Sequence, residues 1–240
     1  MAYIHAMVLF ALAIAPGIAI SLYIILKDSY NREPRRHLAA CFGLGVLSTL
    51  LAALVEGGAM WLTGAALPDG LLRTAVEAFL AVALVEEWAK YAMVKGYAYR
   101  KPEFDEPFDG IVYSVMVAMG FATLENIMYV MQYGLGTAIL RMFLSVPAHA
   151  CFGIVMGYYL GRARFGAGSE RGNIRRGLLL ATAFHGFFDF FLFLQDKDFV
   201  PEQVSDLLLF GGAVVSYAVA IRFSRRAIRD HLETSRVMHG

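Results

Sequence analysis

Charge is what this chain has least of. Only 17% of its 240 residues are Asp, Glu, Lys or Arg, where a soluble domain carries about 25%. No polar stretch is long enough to form a separate soluble domain, and no repeat or low-complexity segment stands out. The chain holds only two cysteines, Cys41 and Cys151, in different apolar runs. A disulfide framework is therefore not expected, and both read as free buried thiols. Cys151 lies two residues from His149, but on a helix that spacing turns it about 200° away, which argues against a shared metal site. The first apolar run, Ala2 to Leu26, has no basic segment ahead of it. It also exceeds the 7–15 residues of a signal peptide's apolar core, so it reads as a retained first span. The net charge of +1 says little, and no nucleic-acid partner is expected.

What is present is apolar sequence in long runs. Hydrophobic residues make up 58% of the chain, and the charges cluster between runs long enough to cross a bilayer. Seven spans are expected, at about Ala2–Leu26, Leu38–Leu62, Leu71–Val94, Gly110–Tyr133, Ala138–Leu160, Gly177–Leu194 and Val204–Phe223. Pro16-Gly17 is expected to kink the first. The fold class is therefore an all-α polytopic transmembrane bundle, a single domain over 1–240. The connections alternate in charge. Those at 27–36, 95–109 and 161–176, with the tail from Arg222, hold seventeen Lys and Arg; those on the other side hold Arg73, Arg141 and Lys197. The positive-inside rule then places the N-terminus outside and the C-terminus in the cytoplasm. An odd number of spans agrees with that. The basic tail reads as an anchor that extends the last helix along the lipid headgroups.

Against this apolar background a few ionisable residues fall near mid-membrane. Glu86, Glu87 and Lys90 lie inside the third run, Glu125 and Asn126 in the fourth, His149 in the fifth, and His185 and Asp189 in the sixth. Glu86 and Lys90, like His185 and Asp189, are four residues apart and share a helix face. Glu86 and Glu87 are about 100° apart and cannot both point along one line. Pro147 has no N–H and disturbs the turn before His149. Gly153, Gly157 and Gly161 form a small-residue stripe that suits close helix packing, with Gly153 and Pro147 also candidates for a substrate groove.

Each of these residues alone has an ordinary structural explanation. Together they are expensive: four unpaired carboxylates would cost about 10–14 kcal/mol on insertion scales. A divalent metal offsets that cost, since structural zinc binds with about 10–16 kcal/mol. Two histidines and a carboxylate are a common catalytic zinc set, and a further carboxylate can take a proton from water. The inventory matches a buried metal hydrolase better than a proton or cation pathway.

The motifs Glu86-Glu87-x-x-Lys90, Phe121-x-x-x-Glu125-Asn126, His149-x-x-x-Gly153 and His185-x-x-x-Asp189, in order on successive spans, resemble the PrsW family of intramembrane proteases. That family belongs to a wider group with the type II CAAX prenyl endopeptidases and bacteriocin-processing or self-immunity proteins. The resemblance covers about residues 75–195 and places the catalytic core at about 71–194. It implies a metal-dependent endopeptidase in the inner membrane of a prokaryote. Its implied substrate is a single-span membrane protein of the anti-sigma-factor kind. On that basis His149, His185 and Glu125 are expected to hold a divalent metal, zinc foremost, with Asp189 completing the shell or orienting His185. Glu86 or Glu87 is expected to act as general base, Lys90 to neutralise the other glutamate, and Asn126 to polarise the scissile carbonyl or orient a ligand. The rival readings are a non-enzymatic membrane receptor, scaffold or immunity factor with a structural polar cluster, and a proton-coupled transporter. No inverted repeat supports the latter.

Overall fold

A computed structural model of the chain describes residues 2–166, 168–201 and 203–239, apart from the side chains of residues 2, 4, 5 and 196. The helices are α1 (Ala2–Lys27), α2 (Arg35–Ala66), α3 (Leu71–Val76), α4 (Leu84–Gly96), α5 (Pro107–Tyr133), α6 (Leu135–Phe143), α7 (Ser145–Phe165), α8 (Glu170–Phe193) and α9 (Asp206–His239). No strand occurs among the described residues. The fold is an all-α polytopic bundle. Among the described residues, six helical stretches are long and apolar enough to cross a membrane: Ala6–Lys27, Arg35–Ala66, Pro107–Tyr133, Leu135–Phe165, Glu170–Phe193 and Asp206–His239. The seventh expected span is the continuous helix through α3 and α4, whose interior carries Glu77, Glu86, Glu87 and Lys90.

At the centre stands α5. It starts on Pro107, whose missing N–H is not needed in a first turn, and it ends at Gly134, where φ is +83°. From Pro107 to Thr123 every residue is buried. α1, α2, α4, α7 and α9 all pack on it. Two glycine crossings set how closely. A side chain at Gly120 would run into the Phe42 carbonyl of α2, and one at Gly157 of α7 would run into the Gly110 carbonyl of α5. With little hydrophobic drive between helices in lipid, such close backbone contact is a main source of cohesion.

Two irregularities flank the polar residues. Between α3 and α4, Glu77–Ala83 is π-helical, and the Leu84 N–H reaches back five residues to the Phe79 carbonyl. The expected fifth span is broken at Leu144, where α6 ends and α7 begins. Pro147 sits in the first turn of the new helix, where a missing donor does no harm, and His149 follows at once. Through Pro16, by contrast, α1 continues without interruption. The last helix continues 16 residues beyond the expected Phe223, to His239.

Candidate active site

Glu86 and Glu87 lie in the first turn of α4, directly after the π-helical segment. Both are buried, as is Lys90 one turn on. The Lys90 Nζ donates to Glu86 Oε2 at 3.0 Å and to Glu87 Oε1 at 2.7 Å. Lys90 therefore serves both glutamates rather than a single spare one. The 100° between the glutamates is bridged because its flexible stem places the ammonium between them. Its Nζ also lies 4.2 Å from the Phe121 ring centroid, close enough for a cation–π contact.

The two histidines meet this group from α7 and α8. His149 Nδ1 lies 3.2 Å from Lys90 Nζ. An ammonium can only donate, so Nδ1 accepts and the ring proton stands on Nε2, which donates to Glu125 Oε2 at 2.9 Å. His185 is bracketed by carboxylates, with Nδ1 3.0 Å from Glu87 Oε1 and Nε2 3.1 Å from Asp189 Oδ2. Phe152 stacks on the His185 ring at 4.8 Å between centroids and fixes its plane. Glu86 Oε2 lies 4.0 Å from a nitrogen of each imidazole.

One ligand atom from each of Glu86, Glu87, His149 and His185 lies within 4.8 Å of the others, and all four residues are buried. Two imidazoles and two carboxylates at this spacing fit zinc or a similar divalent ion. The same group already attracts a cation, since the Lys90 ammonium touches three of its four members. Glu125 and Asp189, expected among the metal ligands, stand against the ring nitrogens that face away from Lys90 and Glu87. That is the usual position of a carboxylate that orients a ligating histidine.

In the sequence Arg141 reads only as one of three cations near or within the loops on the outer side. From α6 it donates through Nη2 to Glu125 Oε2 at 2.7 Å and through Nε to Asn126 Oδ1 at 3.0 Å. The Asn126 amide donates in turn to the Ala13 carbonyl of α1 at 2.8 Å. Both ends of Asn126 are thus committed to the scaffold. A chain of contacts runs from α1 through Asn126, Arg141 and Glu125 to His149. The turn at Gly134 brings α6 back against α5, and a cation near the end of an apolar run carries no sequence signal of this role.

A cavity of about 520 Å³ opens onto these groups. Glu86, Glu125, His149, His185 and Asp189 line it, whereas Glu87 does not. Pro147 and Gly153 are not part of its wall; a Cβ at Gly153 would stand 2.9 Å from the Ala118 side chain of α5, so this glycine serves helix packing.

Residues 33–221 match the sequence model of the PrsW family of intramembrane metalloproteases. The chain belongs to that family. It is 39% identical to Protease PrsW of Geobacillus kaustophilus over 190 residues, 79% of this chain and 81% of the relative. Protease PrsW of Bacillus subtilis is 35% identical over 189 residues, covering 75% of this chain and 80% of the relative. Protease PrsW of Clostridioides difficile is 34% identical over 193 residues, 78% and 80%. No solved structure matches the chain. Membership in the PrsW family carries the peptidase assignment that the four ordered motifs suggested.

Proposed function

We propose that this chain is a metal-dependent intramembrane endopeptidase that cuts a single-span membrane protein of the anti-sigma-factor kind, with Glu86 as the base. The observation that carries this reading is the buried group of two imidazoles and two carboxylates drawn from three helices and opening on a cavity. His149, His185 and Glu87 would hold the metal, which when bound supplies Lewis-acid polarisation and a more acidic water. Glu86 is the member of the pair that faces the cavity. Its Oε2 is engaged by Lys90. Its Oε1 takes the proton from the attacking water and returns it to the departing amine. Lys90 keeps the two adjacent glutamates from repelling each other at this depth. Glu125 and Asp189 hold the two imidazoles in orientation through their other nitrogens. The surrounding apolar walls strengthen each of these electrostatic contacts.

The alternating charge of the connections supports an outside N-terminus and a cytoplasmic C-terminus in the inner membrane. Cysteines introduced at Ala66 and at Arg236, in a chain otherwise without cysteine, give the check. The first should react with an impermeant maleimide in intact cells and the second only after lysis.

The function is tested on purified chain by metal analysis beside cleavage of a single-span reporter. Wild type should carry a stoichiometric divalent ion, His149→Ala with His185→Ala should not, and Glu86→Gln should keep the ion while cleavage falls by about 10²–10⁴-fold. Equal metal content in wild type and the double variant would overturn the metal assignment. Full cleavage by Glu86→Gln would overturn the base.

A further inference from the structure

The carboxylates that line the cavity are not all accounted for. Glu86 is held by Lys90, Glu125 by Arg141, and Asp189 by His185. Glu56 of α2 lines the same cavity, and its Oε1 is buried with no hydrogen-bond partner among the described residues. It reaches the cavity by helical register, since Thr49, Ala53 and Glu56 all face it and lie on one side of α2. The cations nearest this space are not free to turn to it. Arg141 is tied to Glu125 and Asn126, and Lys90 to Glu86, Glu87 and His149. A carboxylate in apolar surroundings needs a counter-charge or donors, and here the one side that can supply it is the cavity.

The geometry points to Glu56 as a subsite carboxylate that receives a lysine or arginine side chain of the peptide segment lying in the cavity. The cation reaches Glu56 from the cavity, while the backbone of the same segment passes Glu86 and the histidines. A charge pair made out of water is stronger than the same pair at a surface, and an arginine can bond the carboxylate through two N–H groups. A neutral side chain at the same position leaves Glu56 unpaired. Glu56 thereby selects which stretch of a substrate settles beside the base, without itself touching the scissile bond. This inference rests on the peptidase reading, and binding separates the two.

Full-length chain carrying Glu86→Gln, in detergent micelles, is titrated with fluorescent synthetic single-span peptides. Each peptide bears lysine or norleucine at one of about seven successive positions, two turns of helix. At one or two adjacent positions lysine should tighten binding by about tenfold over norleucine, the scale of a charged hydrogen bond. Glu56→Gln should abolish that preference and Glu56→Asp should retain most of it. A loss of folding alone would weaken both peptides together and leave their ratio unmoved. Equal binding of the lysine and norleucine peptides at every position, or a lysine preference that survives Glu56→Gln, overturns the subsite. Cleavage of the same peptides is followed with Glu86 restored. A lysine preference in binding with no peptide cut supports the subsite and overturns the peptidase reading. Cutting with no lysine preference does the reverse.

Discussion

His149 shows how a single side chain in this bundle is fixed from both ends. Its Nδ1 accepts from Lys90 and its Nε2 donates to Glu125, so the tautomer follows from the partners rather than from the ring itself. The carboxylate on Nε2 is in turn fixed by Arg141, and Arg141 by Asn126. Asn126 bonds to Ala13 and Arg141 and to none of Glu86, Glu87, His149 and His185, which makes its loss informative about the support. Asn126→Ala should lower cleavage by about 10–100-fold, the range seen when a partner of a ligating histidine is removed. Metal content should fall far less than in His149→Ala, and Arg141→Met should give the same pattern. An Asn126→Ala chain with unchanged cleavage would mean that Arg141 and Glu125 keep their places without it. The histidines, Glu86, Glu87, Lys90, Glu125 and Asp189 were all legible as ionisable residues inside apolar runs. Arg141 and Glu56 were not, because both lie near the ends of their runs, where a charge reads as a boundary.

At the scale of elements, the spans were legible and their irregularities were not. An apolar run of span length specifies a helix in lipid, because every backbone N–H and C=O must be satisfied within it. Hydrophobicity does not specify the phase of the hydrogen bonds. The π-helical turn at Glu77–Ala83 uses the same apolar residues as an α-turn would, yet it sets the direction in which Glu86 and Glu87 leave the helix. The ring of Phe79, in that turn, occupies the space where a side chain at Gly186 would stand, beside His185. The stripe Gly153, Gly157 and Gly161 was legible as helix packing, and its partners on α5 are Ser114, Gly110 and Pro107. Gly157 lies two turns from His149 on the same face of α7, so anything that separates α7 from α5 also moves the histidine. Gly157→Ala should lower stability by about 1–3 kcal/mol, the cost of overpacking, and lower cleavage further than the stability loss explains. Thermal unfolding in detergent and the reporter assay at a temperature where the variant stays folded check both. A variant that cleaves like wild type would show that α7 shifts without carrying His149 with it.

Across the whole molecule, the end of the bundle opposite the cavity mouth is closed by a second group of acids outside the spans. Asp28 and Glu33 of the α1–α2 connection are buried. Asp28 Oδ2 accepts from the Glu33 N–H at 2.9 Å, and Glu33 accepts from the Tyr113 hydroxyl of α5. Nearby, Glu106 ahead of α5 accepts from Ser235 of α9 at 2.6 Å. This end therefore joins the first connection, the central helix and the last helix through side chains rather than through apolar packing alone. Burial pushes the Asp28 carboxyl up from 3.8 to about 6 and the Glu33 carboxyl up from 4.5 to about 7. An acid whose pKa is raised in the folded chain binds more protons there than when unfolded, so stability falls as pH rises between the two values. The contribution of Asp28 and Glu33 should thus be full below about pH 4 and decline through pH 6 to 7, the pKa values they hold in the fold. Above that range it should be flat. Other groups titrate in the same window, so the comparison that isolates these two is wild type against Asp28→Asn with Glu33→Gln. Both amides mimic the neutral acids, and the variant should gain stability relative to wild type as pH rises across the window. Unfolding midpoints in detergent, read as the difference between the two chains at each pH, measure this directly. A difference that is constant, or that moves in wild type's favour as pH rises, would mean that these acids are paired in the fold with a cation and not held neutral by burial.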